Sequence, residues 1–76
     1  MDLSDLRVVV STRLRALAHD EGLTGTELGK RVGASQPVVS RWLAGKRLPE
    51  LLSLIALADE LSVSLDALCG RVREIP

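Results

Sequence analysis

The chain reads as an all-α fold of five short helices, two of them arranged as a helix-turn-helix. Three observations predict this. Apolar residues recur at i, i+3, i+4 and i+7, with no sustained alternation. The runs are bracketed by N-cap residues at their starts and, for most of them, by a glycine at their ends. Finally, the stretch Leu23 to Leu48, LTGTELGKRVGASQPVVSRWLAGKRL, sets two of those bracketed runs either side of a tight turn at Gly33 to Ser35. One domain is expected over residues 1–76, with a core from about 7 to 70 and a tail from 71 to 76.

The first helix is expected over residues 3–21. Val10, Leu14, Leu17 and Ala18 form its stripe, Leu3 and Leu6 extend it backward, and either Asp2 or Ser4 caps it. The run Val8-Val9-Val10 lowers helix propensity, but the stripe outweighs it. Gly22 ends the helix. Arg7, Arg13 and Arg15 fall mostly on its polar side and read as a solvated face. His19, near the C-terminus, suits the helix dipole and has no partner that would make it a metal ligand or a catalyst.

The second helix is expected from Gly25 to Val32. Thr24 and Glu27 make a T-x-x-E capping box, Leu28 and Val32 share a face, and Gly33 suits a left-handed C-terminal turn. Gly29 costs about 1 kcal/mol relative to alanine inside a helix, which points to a close backbone approach. The third helix is expected from Gln36 to Ala44, capped by Ser35 and closed by Gly45. Pro37 lies in its first turn, where a missing N–H does no harm. Val39, Trp42 and Leu43 face inward. Pro37, Ser40, Arg41 and Ala44 face outward, with Gln36 at the exposed end.

The fourth helix is expected to start at Pro49, with Glu50 at its positive end. Its stripe is Leu51, Leu54, Ile55, Ala58 and Leu61. Leu52 and Leu57 make it apolar on more than one side, so it is either central or partly in an interface. Ser64 caps a fifth helix with Asp66 in its first turn, Leu65 and Leu68 inward, Cys69 as a small buried hydrophobe and Gly70 at the end. In the tail, Val72 and Ile75 are either frayed or in contact with a partner subunit.

Composition narrows the function classes. Trp42 is the only aromatic residue, and the absence of Phe and Tyr argues against a stacking platform for single-stranded nucleic acid. A single cysteine and no leader-like segment point to a reducing cytoplasm. No apolar run is long enough to span a bilayer. No nucleophile elbow, Walker loop, metal-ligand spacing or paired-carboxylate arrangement is present, so neither an enzyme nor a cofactor is expected.

The formal net charge is zero, but it is unevenly spread. Residues 23–48 carry Lys30, Arg31, Arg41, Lys46 and Arg47 against Glu27 alone. Residues 1–22 hold three basic and four acidic side chains, and residues 49–76 two and five. A local basic patch of this kind is the footprint of phosphate binding. On the outward face of the third helix, glutamine and arginine can each make two hydrogen bonds to one base edge: Gln36 with adenine, Arg41 with guanine. Small Ser40 and Ala44 let the helix approach a groove floor, and Pro37 or Val38 can touch a thymine methyl. The alternative is a solvated helix face that happens to hold Gln and Arg.

With Leu28, Gly33, Ser35-Gln36, Val39-Ser40-Arg41-Trp42, Gly45-Lys46, Pro49, Leu54, Ala58 and Ser64 to Leu68 in these positions, the chain resembles the lambda-repressor-like helix-turn-helix family, which includes the Cro and XRE-type regulators. The likeness covers about residues 7 to 70. It implies a lambda-repressor-like DNA-binding domain whose third helix is the recognition helix. The base-reading residues would be Gln36, Pro37, Ser40 and Arg41. The phosphate contacts would be Thr24, Lys30, Ser35, Lys46 and Arg47, with Lys30 and Arg31 equally readable as solvated. The chain departs from the pattern at three places. Gly25 stands where a phosphate-contacting glutamine is common, Pro37 where a second base-reading side chain is common, and Leu43 where a glutamate is common. The resemblance implies double-stranded DNA as partner, a homodimer and a repressor of transcription. The alternative is an antitoxin or adaptor of the same fold acting on a protein partner.

Overall fold

The structure, a computed structural model, describes residues 2–71, without the side chains of residues 3 and 4. The expectations for Leu3, Ser4, Val72 and Ile75 as side chains therefore lie outside the described residues. The elements are α1 (Leu3–Asp20), α2 (Gly25–Val32), α3 (Gln36–Leu43), α4 (Leu51–Glu60) and α5 (Leu65–Leu68). No strand occurs among the described residues. The fold is all-α, as the periodicity predicts.

Asp2 caps α1 by accepting the Asp5 N–H at 2.9 Å. Val10, Leu14 and Ala18 are buried, with Leu6 and Leu17 packed beside them. The expected stripe is thus the observed one. The helix stops one residue short of the expected end. Gly22 takes a left-handed conformation and Leu23 N–H returns to Ala18 O at 2.8 Å. This is a Schellman closure, which satisfies carbonyls that the helix leaves unpaired. The same closure ends α3, α4 and α5, where Lys46, Val63 and Arg71 donate to Arg41 O, Ala58 O and Asp66 O. At α4 the left-handed position is Ser62 (φ 55°), the one non-glycine with positive φ among the described residues.

The core is formed by all five helices: Val10 and Leu14 of α1, Leu28 of α2, Val39 and Trp42 of α3, Leu57 and Ala58 of α4, Leu68 of α5, and Leu61 after α4. Leu14, Leu28, Leu57 and Leu68 are fully buried. Arg31 and Glu60 form an exposed pair at 3.7 Å that links α2 to α4.

Several expectations need correction, among them Cys69, which is half-buried rather than buried, and the end of α3, which falls at Leu43 with Ala44 as its C-cap. Pro49 does not open α4. Glu50 is extended (ψ 168°) and is the N-cap, so the helix begins at Leu51 and Pro49 is buried ahead of it. α4 buries Leu57 and Ala58, with Leu54 half-buried beside them and the C-cap Leu61 buried after it, while Leu51 is 66 % exposed and Ile55 40 %. Leu52, off the expected stripe, is 76 % exposed. Leu65 is 38 % exposed and leaves α5 to bury Leu68 alone.

Candidate nucleic-acid interface

Residues 23–48 fold as α2, a tight turn and α3. Gly33 (φ 72°) ends α2, and Ala34 N–H reaches back to Gly29 O at 2.9 Å. Gly29 is buried, and a Cβ there would lie 2.7 Å from Ala34 O and 3.2 Å from Val39 Cγ2. Only glycine lets α3 sit this close. On α3, Val39 and Trp42 are buried and Leu43 is half-buried, which turns Gln36, Pro37, Ser40, Arg41 and Ala44 to solvent. The division into inner and outer faces follows the 3.6-residue period.

The two helix N-termini differ. Thr24 Oγ1 accepts the Glu27 N–H at 3.1 Å and donates to Glu27 Oε1 at 3.0 Å, while Thr24 N–H donates to the same carboxylate at 3.2 Å. The full capping box is present. These bonds, from the Thr24 backbone first and its hydroxyl second, hold the Glu27 carboxyl below its ordinary value of 4.5. Arg31 and Lys30 act in the same direction. The Thr24 hydroxyl proton is therefore engaged with a carboxylate. The donors left in the first turn of α2 are the Gly25 and Thr26 amides. Ser35 has N-cap backbone geometry (φ −72°, ψ 154°), but its side chain makes no cap hydrogen bond. That hydroxyl is not committed to the helix.

α3 stands as a ridge between two concavities. An open groove of about 390 Å³ runs between the start of α2 and α3, with Gln36, Ser40, Ala44 and Thr26 on its lining and Val39 and Leu43 beneath. It exists partly because residue 25 is glycine. A Cβ there would meet Leu43 Cδ1 at 3.3 Å. On the other flank, a hollow of about 260 Å³ is lined by Ser35, Val38, Arg47 and Glu50. The structure thus joins Gln36 to Ser40 on one groove, and Ser35 to Arg47 on the other. Pro37, Arg41, Lys46 and Lys30 are exposed and line neither.

Sequence reading missed two residues here. Thr26 lines the groove beside Gln36 and Ser40. Arg15 of α1 is tied to this element, since its Nη1 donates to Leu43 O at 3.2 Å across 28 residues of sequence. Thr26 was findable from its place two residues after the cap. Arg15 carries no local signal, because its partner is a main-chain carbonyl far along the chain. Among the described residues no group of three or more His, Cys, Asp or Glu is poised to hold a metal. No described helix is long and apolar enough to cross a membrane.

Comparison with known proteins points the same way. A family model described as helix-turn-helix matches residues 14–68. An uncharacterized HTH-type transcriptional regulator, y4dJ of Sinorhizobium fredii, is 35% identical over 72 residues, which is 95% of this chain and 94% of that protein. The cryptic phage CTXphi transcriptional repressor RstR of Vibrio cholerae is 33% identical over 48 residues, which is 63% of this chain and 43% of that one. No solved structure matches the chain significantly. The chain belongs to the Cro/C1-type helix-turn-helix family of transcriptional regulators.

Proposed function

We propose that this protein is a sequence-specific regulator of transcription, a repressor, that inserts α3 into the major groove of double-stranded DNA. The observation that carries this reading is the exposed outer face of α3, which holds Gln36, Pro37, Ser40 and Arg41 together. Gln36 and Arg41 read base edges through paired hydrogen bonds, while Ser40 and Pro37 allow close approach and apolar contact. Lys46, Arg47, Ser35 and Lys30 hold phosphates and set the register. Thr24 contributes by fixing the α2 N-terminus, whose free amides and positive dipole end suit a phosphate. The repressor role is supported by the similarity to RstR, a transcriptional repressor by name. The whole chain acts as one domain in the cytoplasm, without cofactor or catalytic activity.

The protein binds as a homodimer on two half-sites about one helical turn, roughly 34–36 Å, apart. Exposed Leu51, Leu52 and Ile55 supply apolar surface for a subunit contact. The same surface favours the second reading, an antitoxin or adaptor that acts mainly through a protein partner.

Selection of bound fragments from random duplex DNA tests the proposal. The expected result is an enriched pair of inverted half-sites at one-turn spacing. Recovery of no preferred sequence, together with a stable protein complex from cell extract, would decide for the adaptor.

A further inference from the structure

We infer that Arg15, on α1, is a positioning residue for the recognition helix and acts on base discrimination. The inference rests on the DNA reading above and deepens it. A helix end leaves its last carbonyls unpaired, and each must find a donor. At the end of α3 they can be accounted for one by one. Ser40 O accepts Ala44 N–H at 3.0 Å, Arg41 O accepts Lys46 N–H at 3.0 Å, and Trp42 O accepts Gly45 N–H at 3.2 Å. The next carbonyl, Leu43 O, accepts from Arg15 Nη1 at 3.2 Å. A guanidinium thus completes the cap and places a full positive charge at the negative end of the helix dipole.

A second observation shows that α1 is the seat of this turn. Ser11 is buried and donates to Val8 O at 3.0 Å. A Cβ on Gly45 would lie 3.2 Å from Ser11 Oγ and 3.8 Å from Arg7 O. The turn that closes α3 therefore rests directly on the α1 surface from which Arg15 extends. Leu14 and Ala18, flanking Arg15 on its helix, are buried and hold that surface still.

The recognition helix is consequently fixed at two ends by different means. Gly29 lets α2 grip its start by close packing. Arg15 and the Ser11–Gly45 contact hold its finish. Arg41 and Ala44 lie in the half that Arg15 controls. Loss of the tether lets this half tilt, which blurs the bidentate geometry that distinguishes one base from another. Phosphate contacts tolerate such a tilt better, because a charge on a long flexible stem can follow a phosphate oxygen through several rotamers.

The test uses the full chain, a duplex selected by the wild type and a scrambled duplex of the same length. Affinity is measured across a salt series for wild type, Arg15→Ala and Arg15→Lys, and amide exchange is followed at Ala44, Gly45 and Lys46 in the free protein. Arg15→Ala is expected to weaken the selected duplex about three- to tenfold, the scale of one hydrogen bond. It should leave the scrambled duplex and the salt slope unchanged and speed exchange at the three amides, while Arg15→Lys recovers most of the loss. Equal weakening of both duplexes with a salt slope smaller by about one unit would make Arg15 a phosphate contact and overturn the inference. Unchanged discrimination in Arg15→Ala overturns it as well, provided the wild type discriminates. A wild type that prefers neither duplex sinks the DNA reading itself and takes the discrimination role with it.

Discussion

α3 and α4 are successive helices of similar length, eight residues against ten, yet they distribute their side chains differently. In α3 the core takes Val39 and Trp42, and the outer face is left polar, small or cyclic. In α4 the core takes Leu57 and Ala58, with Leu54 beside them, and still leaves Leu51, Leu52 and Ile55 outside. The comparison teaches that an exposed face is informative by its chemistry. A polar face with paired donors and acceptors suits base edges, whereas an aliphatic face suits another aliphatic surface.

The largest expected effect separates the buried and exposed leucines of α4. Leu57→Ala should cost about 2–5 kcal/mol in denaturant unfolding, while Leu52→Ala, at a dilution where the protein is monomeric, should stay within about 0.5 kcal/mol. Similar losses at both positions would erase the division. On α3, Arg41→Ala should cost about 1–3 kcal/mol at one base pair of the selected site. Lys46→Ala, in contrast, should weaken all sequences alike and lower the salt slope by about one. Loss of affinity on every sequence in Arg41→Ala would move that residue to the phosphate set.

Gly29→Ala should destabilise by about 1–2 kcal/mol despite its better helix propensity, because the added methyl meets the Ala34 carbonyl. A higher melting temperature would show that the α2–α3 approach is looser than the distances imply. At the end of α4, Ser62→Gly should raise stability by about 0.5–1 kcal/mol, since a left-handed serine carries a steric penalty that glycine avoids.

The smallest effect concerns pH. Glu27 has its folded pKa depressed by the Thr24 backbone and hydroxyl, so its contribution is present above the unfolded value and is lost as pH falls through the folded one. The decline lies on the acid side of 4.5. Glu27→Gln should flatten the wild-type fall in melting temperature over that window, and an unaltered profile would remove the capping box from the acid response.

Much of this contrast was legible in the sequence. The boundaries of α2, the Thr24–Glu27 box, the Gly33 turn and the two faces of α3 all follow from local signals, because each residue type there has one good place. α4 was harder. Leucine or isoleucine at 51, 52, 54, 55, 57 and 61 satisfies several stripes at once, and only the surrounding helices choose among them. Pro49 is ambiguous for a related reason. Proline is compatible with the first helical position and with the residue before the cap, and burial decided for the latter. Leu65 shows that a four-residue helix can bury one side chain well without burying its neighbour. Arg15 lay outside any periodic argument, since a long side chain meeting a distant carbonyl leaves no trace in hydropathy.

Trp42 is 3 % exposed, on the back of the rod whose front carries Gln36 and Arg41, and the chain holds no tyrosine or phenylalanine. Its emission therefore comes from one indole alone, which lines the hollow that also holds Ser35 and Arg47. A shift of that rod as it seats on a duplex would alter the colour of the light without any attached dye.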